Sequence, residues 1–291
     1  VFAQNTYVPD DKFEQALIDL GYDTTLDDYV VTANISGVTE LDVSNKEISD
    51  LTGIEGFTAL TNLECNNNQL TSLDVSNNTV LQVLNCGANQ LTSLDVSSNT
   101  ALVDLICNNN ELTSLDVSSN TALEELYCKD NQLTSLDVSK NTALEKLFFY
   151  DNKLTSLDLS KNTALLNIEG WDNALASLDV SNNTALIELN VNNNSLTSLD
   201  VSKNTALTKL TINQNQLTSL DVSKNTTLET LHACWNKLTS LDVSRNTALA
   251  NLNCNDNQLT SLNIRNGVTD AWSAHDWSGF NATNNPNLTC I

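Results

Sequence analysis

A column of carboxylates is the most regular chemical feature of this sequence. Aspartates recur every 21 residues, at Asp74, Asp95, Asp116, Asp137, Asp158, Asp179, Asp200, Asp221 and Asp242. If equivalent residues stack about 4.8 Å apart, as neighbouring strands do, adjacent carboxylates repel one another. We therefore expect the column to raise the pKa values of its carboxyl groups or to recruit cations. Basic residues three positions later offset part of this repulsion, at Lys140, Lys161, Lys203, Lys224 and Arg245.

This column has a structural interpretation and two chemical alternatives. We favour a solvated acidic face whose carboxylates bond to neighbouring Ser and Thr hydroxyls. Calcium binding is one alternative, because Ca²⁺ takes clustered oxygen ligands, but no EF-hand-type D-x-D-x-D-G loop is present. Ice binding by the threonine column of Thr71, Thr92 and Thr113 is the other, and the charged column beside it suits ice poorly. No metal site and no cofactor are predicted.

The seven cysteines indicate packing rather than reactivity. Five share one phase of the period, and other repeats fill that position with a range of apolar residues: Cys65, Cys86, Cys107, Cys128 and Cys254, against Phe149, Gly170, Val191, Ile212 and Ala233. A position that accepts such different side chains serves volume, so we predict buried free thiols there. Phe149 next to Gly170 suggests that one ring fills its neighbour's missing volume. Cys234 is predicted to face outward, and Cys290 to lie at a truncated edge, where either thiol is open to reaction.

Composition and motifs argue against several classes of function. The chain has 36 acidic and 13 basic residues and a net charge of −23, which excludes nucleic acid and disfavours anionic membranes as partners. No apolar run approaches the roughly 20 residues of a transmembrane helix. Only two histidines occur, His232 and His275, and no H-E-x-x-H, G-x-S-x-G or phosphate-binding glycine motif is present. We therefore predict that the chain is not an enzyme.

The elements that position these residues follow from a strict 21-residue period. Each unit contains two halves of the form L-x-x-L-x-(V/C)-x-x-N, as in residues 91–111. The alternation L-x-V or L-x-C has the period of a β-strand, and the Asn that follows can satisfy backbone groups leaving the ladder. Because no coil buries its apolar side alone, stability comes from stacking. The sequence predicts a mainly β solenoid with two short parallel strands per 21-residue coil.

This repeat, which covers about residues 60–262, resembles the leucine-rich-repeat superfamily. It is similar to the bacterial nested 21-residue, or IRREKO, type, whose motif is LxxLxLxxNxLxxLDLxxN. The stretch Ile48-Ser-Asp-Leu51-Thr-Gly-Ile54 resembles the repeat of bacterial internalins, and the ends resemble secreted or surface repeat proteins of marine Bacteroidetes. The resemblance implies an exported leucine-rich-repeat solenoid.

Both ends of the solenoid are predicted to be covered. Residues 1–4 are typical of a signal-peptide remnant, residues 5–40 of an N-terminal cap, residues 41–265 of the solenoid, and residues 266–291 of a C-terminal cap with a truncated final repeat. A short helix is predicted from Asp10 to Leu20, with Asp11 and Glu14 at capping-box spacing. Trp272 and Trp277, near His275, are predicted to pack in the C-terminal cap, with ligand binding as the alternative.

The copies diverge mainly on the outward positions of one half-repeat. Tyr127, Phe148, Tyr150 and Trp171 fall on three adjacent coils, with Lys129, Asp151 and Asp172 at their rim, beside Lys146 and Asp130. An exposed aromatic patch marks an interaction site, and packing that only stabilises the sheet is the alternative. His232 and Trp235, beside Cys234, form a weaker secondary candidate.

From these features we expect a non-catalytic recognition scaffold, secreted or at the cell surface and monomeric. Its partner would be a protein or a polysaccharide at the cell exterior. A purely structural surface protein, or a calcium or ice binder acting through the Asp, Thr and Ser columns, is the alternative.

Overall fold

The computed structural model describes residues 4–267 and 279–289. Two compact units divide the chain, Val1–Leu144 and Glu145–Ile291. Three of the four residues of the proposed signal-peptide remnant, Val1 to Ala3, lie outside the described residues, as do Trp272, His275, Trp277 and Cys290.

The first unit begins with a cap and continues into parallel strands. Its elements are β1 (Asn5–Tyr7), α1 (Asp11–Asp19), β2 (Tyr29–Val31), α2 (Thr32–Ile35), β3 (Glu40–Asp42), a 3₁₀ turn (Ile54–Gly56), β4 (Asn62–Glu64), β5 (Val83–Asn85), β6 (Asp104–Ile106) and β7 (Glu125–Tyr127). Strands β1 and β2 pair antiparallel, whereas β3 to β7 form a parallel ladder.

The second unit consists of strands and turns. Its strands are β8 (Lys146–Phe148), β9 (Asn167–Glu169), β10 (Glu188–Asn190), β11 (Lys209–Thr211), β12 (Thr230–His232), β13 (Ser240–Asp242), β14 (Asn251–Asn253), β15 (Ser261–Asn263) and β16 (Phe280–Asn281). Strands β8 to β12 pair parallel with a register of one repeat, so that Leu189 lies opposite Leu210 and Leu210 opposite Leu231. Strands β14 and β16 continue this ladder. The predicted parallel-strand, mainly β solenoid is confirmed.

The second predicted strand of each coil is the shorter one. On that side the described residues pair as β13 with β15 and as two single bridges, Asp74 with Asp95 and Asp116 with Asp137. The reason is local, because each column aspartate accepts a hydrogen bond from the backbone N–H two residues later, as Asp74 does from Ser76 at 2.9 Å. That bond turns the chain away from the ladder directly after the aspartate.

The core is built from equivalent residues of successive repeats. Cys65, Cys86, Cys107 and Cys128 are fully buried and unoxidised, and so is Cys254. Burial raises the pKa of Cys86, Cys128 and Cys254 to about 12. These thiols confirm the predicted role in packing.

Buried asparagines close the turns between the strands. The amide of Asn110 is typical: Oδ1 accepts from Leu91 N at 2.9 Å, while Nδ2 donates to the carbonyls of Cys86 and Cys107. In the other half-repeat, Asn99 Nδ2 donates to Val75 O and Asn78 O, both at 2.9 Å. Each amide therefore ties its turn to an earlier coil, which explains why the motif requires Asn.

Helix α1 begins and ends where backbone chemistry requires. Asp10 is the N-cap, since its Oδ1 accepts from Lys12 N and Phe13 N at 2.9 and 3.0 Å. Gly21, at φ 82°, lets the chain reverse after the last turn. The predicted capping box of Asp11 and Glu14 is wrong, because Glu14 is buried and accepts hydrogen bonds from a different segment.

Candidate recognition surface

The outward positions of the strand ladder form the surface on which the repeats differ. In the second unit, the third residue of each strand and the second residue after it alternate with buried core positions. This alternation places Phe148, Tyr150, Glu169 and Trp171 on one face, all of them half-buried. The aromatic side chains predicted for binding therefore do not enter the core.

Tyr150 and Trp171 form a stacked pair at the centre of this surface. Their ring centroids lie 4.1 Å apart and their planes meet at 14°. Because the spacing between neighbouring strands is close to the distance between two stacked rings, one aromatic residue at the same position of consecutive repeats produces the stack directly. One face of each ring is therefore covered by the other.

Glu169 places a carboxylate beside the stack. Its Oε2 accepts from Asn190 Nδ2 at 2.6 Å, and the Trp171 side chain also bonds to it. Burial raises the pKa of Glu169, while these hydrogen bonds oppose the rise. Phe148 lies opposite Glu169 in the parallel register. The pair of rings is thus bordered by an apolar ring and an acceptor.

The predicted rim residues Asp151 and Asp172 have a backbone role. Both lie in the left-handed region, at φ 51° and 49°. Equivalent residues of other coils share this conformation: Asn67, Ala88, Asn109, Asp130, Asn193, Gln214, Trp235 and Asp256. Asn and Asp tolerate that region better than most residues, which explains their frequency here without a ligand. Asp172 also accepts a hydrogen bond from Asn193.

Tyr127 and Lys129 belong to the first unit. Tyr127 is half-buried at the end of β7, and its hydroxyl donates to Glu125 Oε2 at 2.6 Å. Burial and the Glu125 carboxylate raise the pKa of this phenol. Lys129 is half-buried two residues after the strand.

The secondary candidate contains the most unusual residue of the described surface. Trp235 is 52% exposed and has φ 49°, a conformation that is strained for a bulky side chain. His232 is half-buried and bonds to Asn251 Oδ1 at 3.2 Å through Nε2. The prediction that Cys234 faces outward is wrong, since it is 2% exposed. Its Sγ lies 3.7 Å from Asn253 O, so the next coil covers it.

The aspartate column differs electrostatically from the expectation. Each carboxylate accepts the backbone N–H of the serine two residues later at 2.8–2.9 Å. Hydrogen bonds from Ser97 lower the pKa of Asp95, and the corresponding serines do the same for Asp74, Asp116, Asp137, Asp179, Asp200, Asp221 and Asp242. The predicted rise is therefore wrong, because solvent screens the repulsion while the local hydrogen bonds act at contact distance.

Acidic side chains that could share a metal ion lie in another region of the described chain. Among the described residues, groups of three acidic side chains close enough to share an ion occur in the N-terminal cap, around Glu14, and not along the aspartate column. None of the helices in the described part of the chain has the length and apolar character needed to cross a bilayer.

Comparison with known proteins supports the fold. Internalin J of Listeria monocytogenes serotype 4b is 40% identical over 75 residues, which are 26% of this chain and 8% of that protein. A structure described as the functional domain of InlJ from L. monocytogenes, including a cysteine ladder, matches with a TM-score of 0.71 and 33% identity. The chain is a leucine-rich-repeat solenoid, and its fold is similar to that of these internalins.

The structural matches cover most of this chain but only part of the longer relatives. The InlJ match covers 98% of this chain and 65% of that structure, so the chain spans less than two thirds of either relative. An internalin, inlF, from L. monocytogenes strain 4b F2365 matches with a TM-score of 0.71 and 23% identity, over 98% of this chain and 88% of that one. No family model matches the sequence. Internalin-like folds of this kind are typically protein-interaction scaffolds.

Two features of the surface escaped the sequence analysis. One is the left-handed column, which the recurrence of Asn and Asp after the strand could have indicated. The other is Glu169, which occupies a variable position as an ordinary charged residue. Its bond to Asn190 depends on the neighbouring coil and has no signature within its own repeat.

Proposed function

We propose that this chain is an exported, non-catalytic scaffold that binds a protein partner through the strand face of its second unit. The observation that carries the proposal is the Tyr150–Trp171 stack, bordered by Phe148 and Glu169. Rigid aromatic side chains beside a few polar groups are the composition of protein hot spots, because they offer large contact area at little cost in side-chain entropy.

A protein partner fits the geometry better than a polysaccharide. A sugar ring usually stacks flat on an aromatic face, and here each ring covers one face of the other. Ring edges and a neighbouring carboxylate suit the mixed polar and apolar contacts of a peptide surface. The fold class, typically used for protein interaction, favours the same conclusion.

Export is the second part of the proposal, and the unpaired thiols are compatible with it because they are buried. The described cysteines are all buried, and burial raises their pKa values, so they resist oxidation outside the cell without being paired. The similarity to a structure with a cysteine ladder agrees with this use of stacked thiols as core residues.

The test is a paired screen of purified extracellular proteins and a glycan array. The wild type is compared with Tyr150→Ala/Trp171→Ala and with a control, Ile187→Ala, which removes an exposed apolar side chain of the same unit. We expect protein ligands of the wild type and of the control to bind the double variant at least about 30-fold more weakly, the loss of a 2 kcal/mol hot spot. Ligands that bind all three forms equally would refute the surface, and glycans alone losing affinity would replace the protein partner with a polysaccharide.

A further inference from the structure

The N-terminal cap holds a group of acidic side chains that the strand face does not use. Carboxylate oxygens of Glu14, Asp23 and Asp27 lie within 4.8 Å of one another, and Glu14 also groups with Asp11 and Asp28. The sequence has no Lys or Arg between Lys12 and Lys46, and Lys12 pairs with Glu47 at 3.4 Å. Within residues 13–45, which include Glu14, Asp23, Asp27 and Asp28, the negative charge is therefore not balanced by any Lys or Arg.

Glu14 is the unusual member of this cluster. It lies on α1 and is completely buried, which is rare for a glutamate side chain. Its Oε1 accepts from Asp27 N at 2.8 Å and from Tyr29 N at 3.1 Å, which draws the loop between α1 and β2 over the helix. These bonds to Oε1 hold the loop in place, but they leave Oε2 of Glu14 without a described donor.

Two carboxylate oxygens in the cluster are buried without a hydrogen-bond donor. Among the described residues, nothing donates to Oε2 of Glu14 or to Oδ2 of Asp23, and solvent does not reach either atom. Buried carboxylate oxygens are strongly unfavourable unless a donor or a cation compensates them. Proximity of the acidic groups and burial of the unpaired oxygens are separate observations, and both point to a missing positive charge.

We propose that Glu14, Asp23 and Asp27 bind a calcium ion in the N-terminal cap. The donor set contains only oxygen, which suits a hard cation and disfavours zinc, whose sites use nitrogen and sulfur. Calcium accepts irregular arrangements of six to eight oxygens, whereas Mg²⁺ requires a near-octahedral set. The ion would fix the loop after α1 against the helix and so hold the cap together at its charged end.

Calcium titration of the full chain after metal removal tests this site. We expect one ion to bind with a Kd below about 1 mM, as in extracellular calcium modules. Asp23→Asn removes one ligand charge while leaving the hydrogen bonds of Glu14 to the loop intact, and it should weaken binding at least tenfold. Asp95→Asn is the matched control, because it removes one carboxylate from the aspartate column and should leave binding unchanged.

Thermal unfolding gives a second readout, because the order of the melting temperatures of wild type and Asp23→Asn should differ between chelator and calcium. In chelator, Asp23→Asn should melt at or above the wild-type temperature, since it relieves repulsion at a carboxyl oxygen that has no donor. At millimolar calcium the wild type should melt higher than the variant. An absence of calcium binding up to 10 mM, equal binding by Asp23→Asn, or equal affinity for Mg²⁺ would each overturn the assignment. Weaker binding by Asp95→Asn would move the site to the column.

Discussion

The contact between Phe149 and Gly170 tests whether equivalent core residues of adjacent repeats share one packing volume. A Cβ added to Gly170 would overlap Cζ of the Phe149 ring and lie 2.6 Å from Cε2. The φ of Gly170 is outside the left-handed region, so its backbone accepts alanine and the cost of Gly170→Ala is steric. We expect this substitution to lower the free energy of unfolding by about 1–3 kcal/mol, the usual range for an overfilled core.

The compensating change is Phe149→Val, which shortens the ring that fills the space above Gly170. Alone it should cost about 2–4 kcal/mol, because it leaves a cavity in a fully buried column. Together the two substitutions restore most of the lost volume with side chains that other repeats carry at this position, as Val191 and Ala233 do. The double variant should therefore lose no more than about 2 kcal/mol.

Urea unfolding of the wild type, both single variants and the double variant measures the coupling. We expect a favourable coupling of about 2 kcal/mol between the two sites. Val191→Ala, one coil further along the same column, is a control that creates a cavity without relieving the ring contact. If the costs of Phe149→Val and Gly170→Ala simply add to within about 0.5 kcal/mol, the two residues do not share one volume and the packing argument fails.

Three further predictions follow from the described residues. Trp235→Asn should raise the free energy of unfolding by about 1 kcal/mol in urea, because Asn tolerates the left-handed backbone that strains Trp; no gain would mean that the Trp side chain recovers the strain through packing. In a Cys290→Ser variant, no thiol of the native protein should react quickly with a thiol reagent at pH 8, whereas six should react after unfolding. The reason is that all six described cysteines are buried and have raised pKa values. Fast labelling of one thiol would contradict their burial. The folded-state pKa of the column aspartates lies below its unfolded value, so their contribution to stability is present above about pH 4 and is lost as the pH falls through the lowered folded pKa. The melting temperature of Asp95→Asn/Asp116→Asn should therefore fall less than that of the wild type between pH 5 and pH 2. A larger fall in the variant would show that repulsion between the carboxylates dominates the column.

Much of the fold could be predicted because each repeat carries the same pattern of strand and turn residues. The alternation of Leu with Val or Cys marks the strands, and the recurring Asn marks the turns; both hold in the described coils, as the amides of Asn99 and Asn110 show. The strand on the aspartate side was overestimated, because the side chain of Asp74 competes with the ladder for the N–H of Ser76. Periodicity identifies which residues share a column, but it does not show whether a backbone N–H bonds to the strand ladder or to a nearby side chain.

The candidate surface was predicted less completely than the fold. Period alone places Tyr150 and Trp171 on one face of adjacent coils, and the structure stacks them. Exposure of a side chain one residue from the core depends on the next coil, which is why Cys234 was assigned wrongly. The rim carboxylates Asp151 and Asp172 were selected for their charge, although the left-handed backbone already explains their presence.

The carboxylates of the repeats differ from those of the cap in how their oxygens are satisfied. In the repeats, backbone demands account for the acidic side chains: Asp95 accepts the N–H of Ser97, and Asp172 occupies a conformation that Asp tolerates. Such residues would be present whether or not the protein bound an ion, so their number is weak evidence for calcium. Glu14 and Asp23 differ, because each has a buried oxygen that no described donor satisfies. A ligand is needed only where the chain leaves charge uncompensated, and on that criterion calcium belongs to the cap rather than to the much longer aspartate column.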